Sequence, residues 1–401
     1  MRKLWLILVI LLANEPVTAQ LFEDDLQDYQ SELTAFWEND AFIINPDDRY
    51  YTNGARISYR LLSEDVYVFW KGKYRPIKFR DPETFMSMNS EPTNKFEILS
   101  VSPTEMYIQE KKAKAPKDPL YRFNYGFTVG QNMYTPSKIE WLPRQVNLYD
   151  RPYAGWLYFS FYKEKINSKN RYSKYECMIG NLGPSSFAEE AQKWVHRDLT
   201  DSQEPRGWEL QIDREIVFLL NYERSFLYVP FQKEQKNKTS DSSQAACNCF
   251  DLQPGIQFNL GNIFTNAELN CTFRLGKVKN LFRGHGLQDA IPSVANGIFY
   301  VTKPYKKHQK WYSLSEFFLF CRLEGKFVIY NATIQGGMFN QTSPHTEEIR
   351  HGVIGGDIGA ALYLHKVSLV YSHAFRSTEV LSREWNATQH NWGQFQLIFR
   401  L

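Results

Sequence analysis

A run of alternating side chains reaches the last residue of this chain, with Phe395, Leu397, Phe399 and Leu401 on one face and Gln394, Gln396, Ile398 and Arg400 on the other. Such a period of two is the signature of a β-strand. A strand in that place has an edge that must be paired or covered, and a closed barrel pairs its last strand with its first. The expectation is an all-β fold, a single antiparallel β-barrel closed on itself.

The same alternation recurs upstream. Ala267, Leu269, Cys271, Phe273 and Leu275 alternate with Glu268, Asn270, Thr272 and Arg274. Similar sets stand at Ile256, Phe258 and Leu260, at Ile354, Ile358, Ala360, Leu362 and Leu364, and at Val367, Leu369 and Tyr371. In a soluble sandwich the apolar face meets a core and the polar face meets water; in a membrane barrel the apolar face meets lipid and the polar face lines the lumen. Alternation alone does not choose between them. Strands are predicted near 31–40, 51–61, 122–134, 153–165, 171–181, 211–227, 253–262, 265–276, 313–330, 351–364, 367–377 and 391–401. That makes about twelve, an even number as in bacterial outer-membrane barrels, which place both termini in the periplasm.

The N-terminus and the composition bear on the compartment. Met1-Arg2-Lys3, an apolar run from Leu4 to Leu12 and Val17-Thr18-Ala19 before Gln20 read as a secretory signal peptide over residues 1–19, leaving a barrel over 20–401. The apolar run is far short of the roughly 20 residues of a membrane-spanning helix. Aromatic residues make up 16% of the chain, which suits the aromatic girdles of a transmembrane barrel. The 47 basic and 44 acidic residues are well mixed, so net charge gives no general argument for a nucleic-acid partner. Cys177, Cys247, Cys249, Cys271 and Cys321 lack zinc-ligand spacing and receive no role.

Strand parity sends segments 41–50, 135–152, 182–210 and 378–390 to the outer rim. It sends the polar inserts at 62–121, 228–252 and 277–312 to the periplasmic end, where such barrels ordinarily have short turns. The basic run from Glu110 to Lys117 reads as a solvated charge cluster.

The chemistry-bearing residues begin at the first hairpin. Phe36-Trp37-Glu38-Asn39-Asp40 is followed by Asp48-Arg49-Tyr50-Tyr51-Thr52-Asn53-Gly54. Further along come Gly130 to Ser137, Asp150-Arg151-Pro152-Tyr153-Ala154-Gly155-Trp156, Gly180 to Pro184, Ala191-Gln192, Val195-His196, Pro205 to Gln211, Gly261 to Thr265 and Ser372 to Glu379. In this order they resemble the lipid A 3-O-deacylase family over most of the mature chain, the large inserts excepted.

The resemblance implies a twelve-stranded barrel in the outer membrane of a Gram-negative cell. It implies calcium-dependent hydrolysis of the acyl ester at the 3-prime position of lipid A, the substrate portion of lipopolysaccharide. It also implies site roles for His196, Asp40, Asn39 and Thr52, with Asp40 and Asn39 as candidate calcium ligands.

The chemistry of these residue types agrees. Ester hydrolysis needs a base for water and a donor or cation for the oxyanion. Histidine is the usual general base for such work, which makes His196 the natural base, and calcium takes oxygen ligands such as Asp40 and Asn39 supply. Strand parity sends Asp40, Thr52, Ser137 and His196 to one end of the barrel. No Gly-x-Ser-x-Gly elbow is present, so water is the expected nucleophile. Asp201 and Glu204 compete as the acidic residue after the histidine, and Lys138 and Arg144 as a supporting base. His285, His308, His345, His351, His365, His373 and His390 read as surface residues of loops or strands. The alternatives are a non-catalytic outer-membrane barrel, serving as channel or scaffold, and a soluble secreted β-sandwich or sugar-binding protein.

Overall fold

In the computed structural model, residues 30–43, 50–63, 67–70, 72–76, 99–102, 105–107, 120–137, 139, 150–167, 171–199, 205–228, 248–278, 314–381 and 390–401 are described. Twelve antiparallel strands form the wall: β1 (Ser31–Asn39), β2 (Tyr50–Leu62), β3 (Leu120–Thr135), β4 (Ala154–Asn167), β5 (Arg171–Leu182) and β6 (Glu215–Phe226), then β7 (Asn248–Gly261), β8 (Phe264–Val278), β9 (Leu314–Asn331), β10 (Gly352–Leu364), β11 (Val367–Arg376) and β12 (His390–Arg400). Each pairs with its sequence neighbours, and β12 pairs with β1 from Glu32↔Arg400 to Asn39↔Gly393, which closes the barrel. The terminal alternation therefore has the physical cause expected of it, a last strand completed by the first.

Predicted and observed strands agree closely, with two informative differences. Residues 211–214 form no strand, because the backbone N–H of Ile212 donates to the carbonyl of Tyr153 and ties that segment to another loop. The seventh strand starts five residues before the predicted 253, where a register shift between Asn248 and Phe250 breaks the period of two. Within the insert at 62–121, Tyr67–Trp70 and Lys73–Pro76 form a hairpin that extends the wall beside β3.

The barrel is inside out relative to a soluble domain. Ile57, Val129, Phe161, Ile216, Leu269 and Ile354 are at least half exposed on the outer face, whereas many of their inward neighbours, among them Arg56, Ser58, Thr128, Ser160, Glu215 and Glu268, are polar and buried. On β8, Leu269 is 68% exposed while Glu268 is 3% and Arg274 is fully buried. The soluble-sandwich alternative would bury the opposite set. Inside, charges are paired: Arg60 with Glu32 and Glu164, Lys174 with Glu176 at 2.7 Å, Arg274 with Asp251 at 2.6 Å and Arg322 with Glu268 at 2.6 Å. Buried pairs of this kind give little net stability. Arg274–Asp251 and Arg322–Glu268 join adjacent strands, and Arg60 reaches from β2 past β3 to Glu164 on β4.

The β1–β2, β3–β4, β5–β6, β7–β8, β9–β10 and β11–β12 connections share one rim, and residues 30 and 401 lie at the other, where the Gln30 N–H donates to the Leu401 carbonyl. Near the rim that carries those six connections, Tyr51, Tyr134, Trp156, Tyr158 and Trp392 belong to one apolar cluster. Three histidines depart from the surface reading: His345, His365 and His390 are buried. His390 packs its ring on Trp392 at 4.5 Å and its Nε2 lies 3.2 Å from the Tyr51 backbone. His351 and His373 are exposed as expected, and His285 and His308 lie outside the described residues. Among the described residues Cys177, Cys249, Cys271 and Cys321 are unbridged.

Candidate active site

Alternation places Trp37 outward and Glu38 inward at the end of β1. Glu38 is fully buried and is a hub: it accepts from Tyr51 Oη at 2.6 Å, Arg56 Nη2 at 3.0 Å, Gln394 Nε2 at 2.8 Å and Trp392 Nε1 at 3.3 Å. Gly54 makes the hub possible, since a Cβ there would overlap Tyr51 Oη. The Tyr-Thr-Asn-Gly run thus has a structural cause for its glycine. Sequence reasoning quoted Glu38 without giving it a role; an acidic residue at an inward strand position was the available signal.

One residue on, Asn39 faces outward and pairs in register with Asn53, whose Oδ1 accepts from Trp37 Nε1 at 3.2 Å. The chain then leaves the sheet in a 3-10 turn, Asp40–Phe42. Phe42 packs edge-on against Trp37 at 5.3 Å and Phe395 at 5.1 Å, and its carbonyl accepts from Tyr371 Oη at 3.0 Å. The turn can lie on the wall because Gly393 is beneath it, where a Cβ would stand 2.5 Å from Phe42 Cβ. Asp40 is buried as a result. Thr52, also buried, meets the hydroxyl of Thr135 at 2.5 Å.

The connection that carries His196 lies on the outside of the same wall. Phe127 and Val129 are exposed, so Gln131 and Met133, two and four residues on, share that outward face. Gln131 Nε2 donates to the Ser186 carbonyl at 2.6 Å, and Met133 packs with Ala188 and Trp208. Helix α1 (Ala188–Trp194) follows, held by Trp208 Nε1 donating to Gln192 Oε1 at 2.9 Å. It runs into a wider π-helical turn, Val195–Leu199, on which His196 is buried. A lateral row results: Asn39 beside Asn53, Asn53 beside Met133, and Met133 against the first residue of the helix that leads to His196. Phe187 and Trp194, at 60% and 52% exposure, flank that helix with aromatic surface.

The structure therefore brings Asn39, Asp40 and Thr52 to the end of the first hairpin and sets His196 on a loop packed to the neighbouring strand at the same rim. Ser137 is at this rim too, its N–H and hydroxyl donating to Asp150 Oδ2 at 2.7 and 2.6 Å. Lys138, Arg144, Asp201 and Glu204 lie outside the described residues. No group of three or more His, Cys, Asp or Glu side chains with metal-binding geometry occurs among the described residues. Asp40 and Asn39 fit calcium by donor type, since it takes carboxylate and amide oxygens and completes its shell with backbone carbonyls and water.

A family model described as outer membrane protein LpxR matches residues 4–401. The chain belongs to this family. Among solved structures, LpxR from Salmonella typhimurium is similar at 17% identity over 92% of this chain and all of that one, with a TM-score of 0.60, a likeness of fold. The β domain of the Bordetella autotransporter Brka, at 7% identity over 93% of this chain and 99% of that one, has a TM-score of 0.34. The translocator domain of NalP from Neisseria meningitidis, at 9% identity over 100% of this chain and 94% of that one, has 0.33. No curated protein matches the chain by sequence.

This LpxR-family barrel is an outer-membrane protein, and its rim is braced by a network that sequence reasoning did not single out. Arg151 donates to Glu379 Oε2 and to Thr333 Oγ1, both at 2.6 Å, and Arg376 donates to Glu379 Oε1 at 3.2 Å. Asn331 in turn accepts from the Thr333 N–H at 3.0 Å, capping the short helix α2 (Ala332–Gln335). Three connections, after β3, β9 and β11, are thereby tied together. Burial alone would raise the Glu379 carboxyl, but the guanidinium charges of Arg376 and Arg151 outweigh it and hold the group down at about 2.

Proposed function

We propose that this barrel is a lipid A deacylase, a calcium-dependent hydrolase that removes the ester-linked acyl chain at the 3-prime position of lipid A. The observation that carries the reading is the placement of the His196 loop. It packs on the outer wall beside the Asn39–Asn53 row, with Phe187 and Trp194 exposed at its flanks. A site on the outer wall is open to a lipid arriving from the bilayer, and aromatic residues at that level suit the membrane interface. A site for a water-soluble substrate would open to the lumen or the aqueous mouth.

In this reading His196 takes a proton from water as the water oxygen attacks the acyl carbonyl. The resulting oxyanion is stabilised by the Thr52 hydroxyl, which Thr135 positions at 2.5 Å. Collapse breaks the bond between the acyl carbon and the sugar oxygen. The protonated imidazole then returns its proton to that oxygen, leaving a free fatty acid and a sugar hydroxyl. Asp40 and Asn39 would hold the calcium ion, which supplies positive charge beside the carbonyl when bound.

The non-catalytic reading, a channel, is disfavoured by the lumen, where inward charged side chains such as Glu38, Glu164, Arg274 and Asp357 are fully buried. The test is to extract lipid A from Gram-negative cells with and without this protein and compare masses. Loss of one acyl chain is expected with the wild type, and its disappearance with His196→Ala. An unchanged acylation pattern with folded protein and calcium present would overturn the proposal.

A further inference from the structure

Between β9, β10 and β11, at the rim that carries the six connections, is a pocket of about 410 Å3 lined in part by Gln335, Glu348, Arg350, His351 and Gly352. None of the candidate hydrolytic residues lines it. The pocket is preformed, because three segments are stitched by backbone hydrogen bonds: Glu347 N–H to the Ile334 carbonyl at 2.9 Å, Arg350 N–H to the Glu379 carbonyl at 2.7 Å and Leu381 N–H to the Glu348 carbonyl at 2.8 Å. A small apolar core of Val328, Ile334, Ile349, Val353 and Val380 backs it.

Its polar groups are held in place. Arg350 Nε donates to the Val380 carbonyl at 3.2 Å, which fixes the side chain while its two terminal nitrogens stay available. His351 Nδ1 donates to the Val328 carbonyl at 2.8 Å, which leaves Nε2 as the remaining polar atom of the ring. That ring stacks on Phe327 with centroids 6.0 Å apart. Glu348 lines the same pocket, so the lining is mixed in charge.

Below the pocket the outer wall is apolar and grooved. Phe327, Ile329 and Ile354 are more than half exposed. Gly352 pairs with Phe327 and Gly325 with Ile354, and a Cβ on either glycine would have no neighbour within 4 Å. The groove thus runs from the pocket, through Gly352, down toward the bilayer.

We infer that this pocket and groove seat a phosphorylated glycolipid, with its phosphate on Arg350, its sugar hydroxyls on Glu348 and Gln335, and an acyl chain along Phe327, Gly325 and Ile354. A guanidinium with its terminal nitrogens available suits a phosphate, a carboxylate and an amide suit hydroxyls, and the exposed strip suits hydrocarbon. A uniformly basic pocket would fit any anion; this mixture fits a sugar phosphate better. The inference shares with the proposed function the outward orientation of the rim, and it needs no hydrolysis.

The test uses the refolded full barrel in detergent micelles, with a bisphosphorylated acylated disaccharide lipid and its phosphatase-treated form as probes. Bound lipid is counted by native mass spectrometry. With calcium chelated so that no acyl chain is released, wild type and His196→Ala are expected to retain the phosphorylated lipid equally. The double variant Arg350→Ala/His351→Ala should retain at least about five-fold less, and Gly325→Leu, which fills the groove with Arg350 and His351 intact, should lose binding as well. Each variant is first checked for folding by its gel mobility before and after boiling. Retention at wild-type level by both the double variant and Gly325→Leu would overturn the inference. Equal binding of phosphorylated and dephosphorylated lipid, or full competition by inorganic phosphate, would do the same. Loss of binding in His196→Ala alone would place the lipid at the hydrolytic site and overturn the separate seat while leaving the proposed function intact.

Discussion

Replacing Glu38 by alanine removes one acceptor shared by four donors, from Tyr51, Arg56, Trp392 and Gln394. All four lie on β2 or β12, the two strands that flank β1. Breaking a buried ion pair from one side costs about 3–5 kcal/mol, because the remaining charge is left in a poorly solvating interior. Arg56 keeps its stack over the Phe36 ring at 3.9 Å, which places the expected loss near the lower end, about 3 kcal/mol.

The assay is urea unfolding of the barrel refolded into lipid vesicles, followed by tryptophan fluorescence. Glu38→Gln keeps shape and acceptor but not charge, and should lose about half as much. Glu38→Leu with Arg56→Leu removes both charges and should sit closer to wild type than Glu38→Leu alone, a coupling that a double-mutant cycle reads directly. A loss under about 1 kcal/mol for Glu38→Ala, with no coupling to Arg56, would refute the reasoning that this hub fixes the end of β1.

Other outcomes follow from the same geometry. Thr52→Val keeps size but removes the hydroxyl opposite Thr135, and lipid A deacylation should slow by about 100-fold with folding intact, as for loss of an oxyanion donor; undiminished turnover would exclude that role. Because the Glu379 carboxyl is held down at about 2 in the folded rim against 4.5 otherwise, its contribution, on the order of 3 kcal/mol, is complete above about pH 4.5. It fades as the pH falls toward 2, so wild type should lose stability steeply between about pH 4.5 and 2, and Glu379→Gln should flatten that part of the stability curve. In planar bilayers the wild type should give no stepwise conductance, since inward charged side chains such as Glu38, Glu164, Arg274 and Asp357 are fully buried; porin-like steps would contradict the filled interior.

The barrel was legible because much of its wall alternates: Leu269, Phe273 and Leu275 face out while Glu268, Thr272 and Arg274 face in, and the sequence alternates accordingly. The strand over 391–401 pointed to closure, and its pairing with β1 supplies it. The buried histidines were not. His390 opens β12 against Trp392 of the rim cluster, and its Nε2 lies 3.2 Å from the Tyr51 backbone, a contact between the last strand and the first hairpin that no local pattern encodes. The Arg151–Glu379–Arg376 brace was hidden for the same reason, since 228 positions separate Arg151 from Glu379. For the candidate site, the Asn39-Asp40 and Thr52-Asn53-Gly54 runs pointed to the first hairpin, and the structure sets these residues at its end. Their arrangement depends on Gly393 beneath the Asp40 turn and on Gln131 anchoring the His196 loop to the outer wall, and neither residue carries a sequence signal of its own.

The most direct measurement is hydrolysis by the purified, refolded barrel of lipid A in micelles made with water enriched in oxygen-18, with products weighed by mass spectrometry. Attack of water on the acyl carbon predicts one heavy oxygen in the released fatty acid and none in the sugar product, with calcium chelation or His196→Ala abolishing both products. Intact lipid A after incubation with folded wild type and calcium, or heavy oxygen appearing in the sugar, would contradict the account.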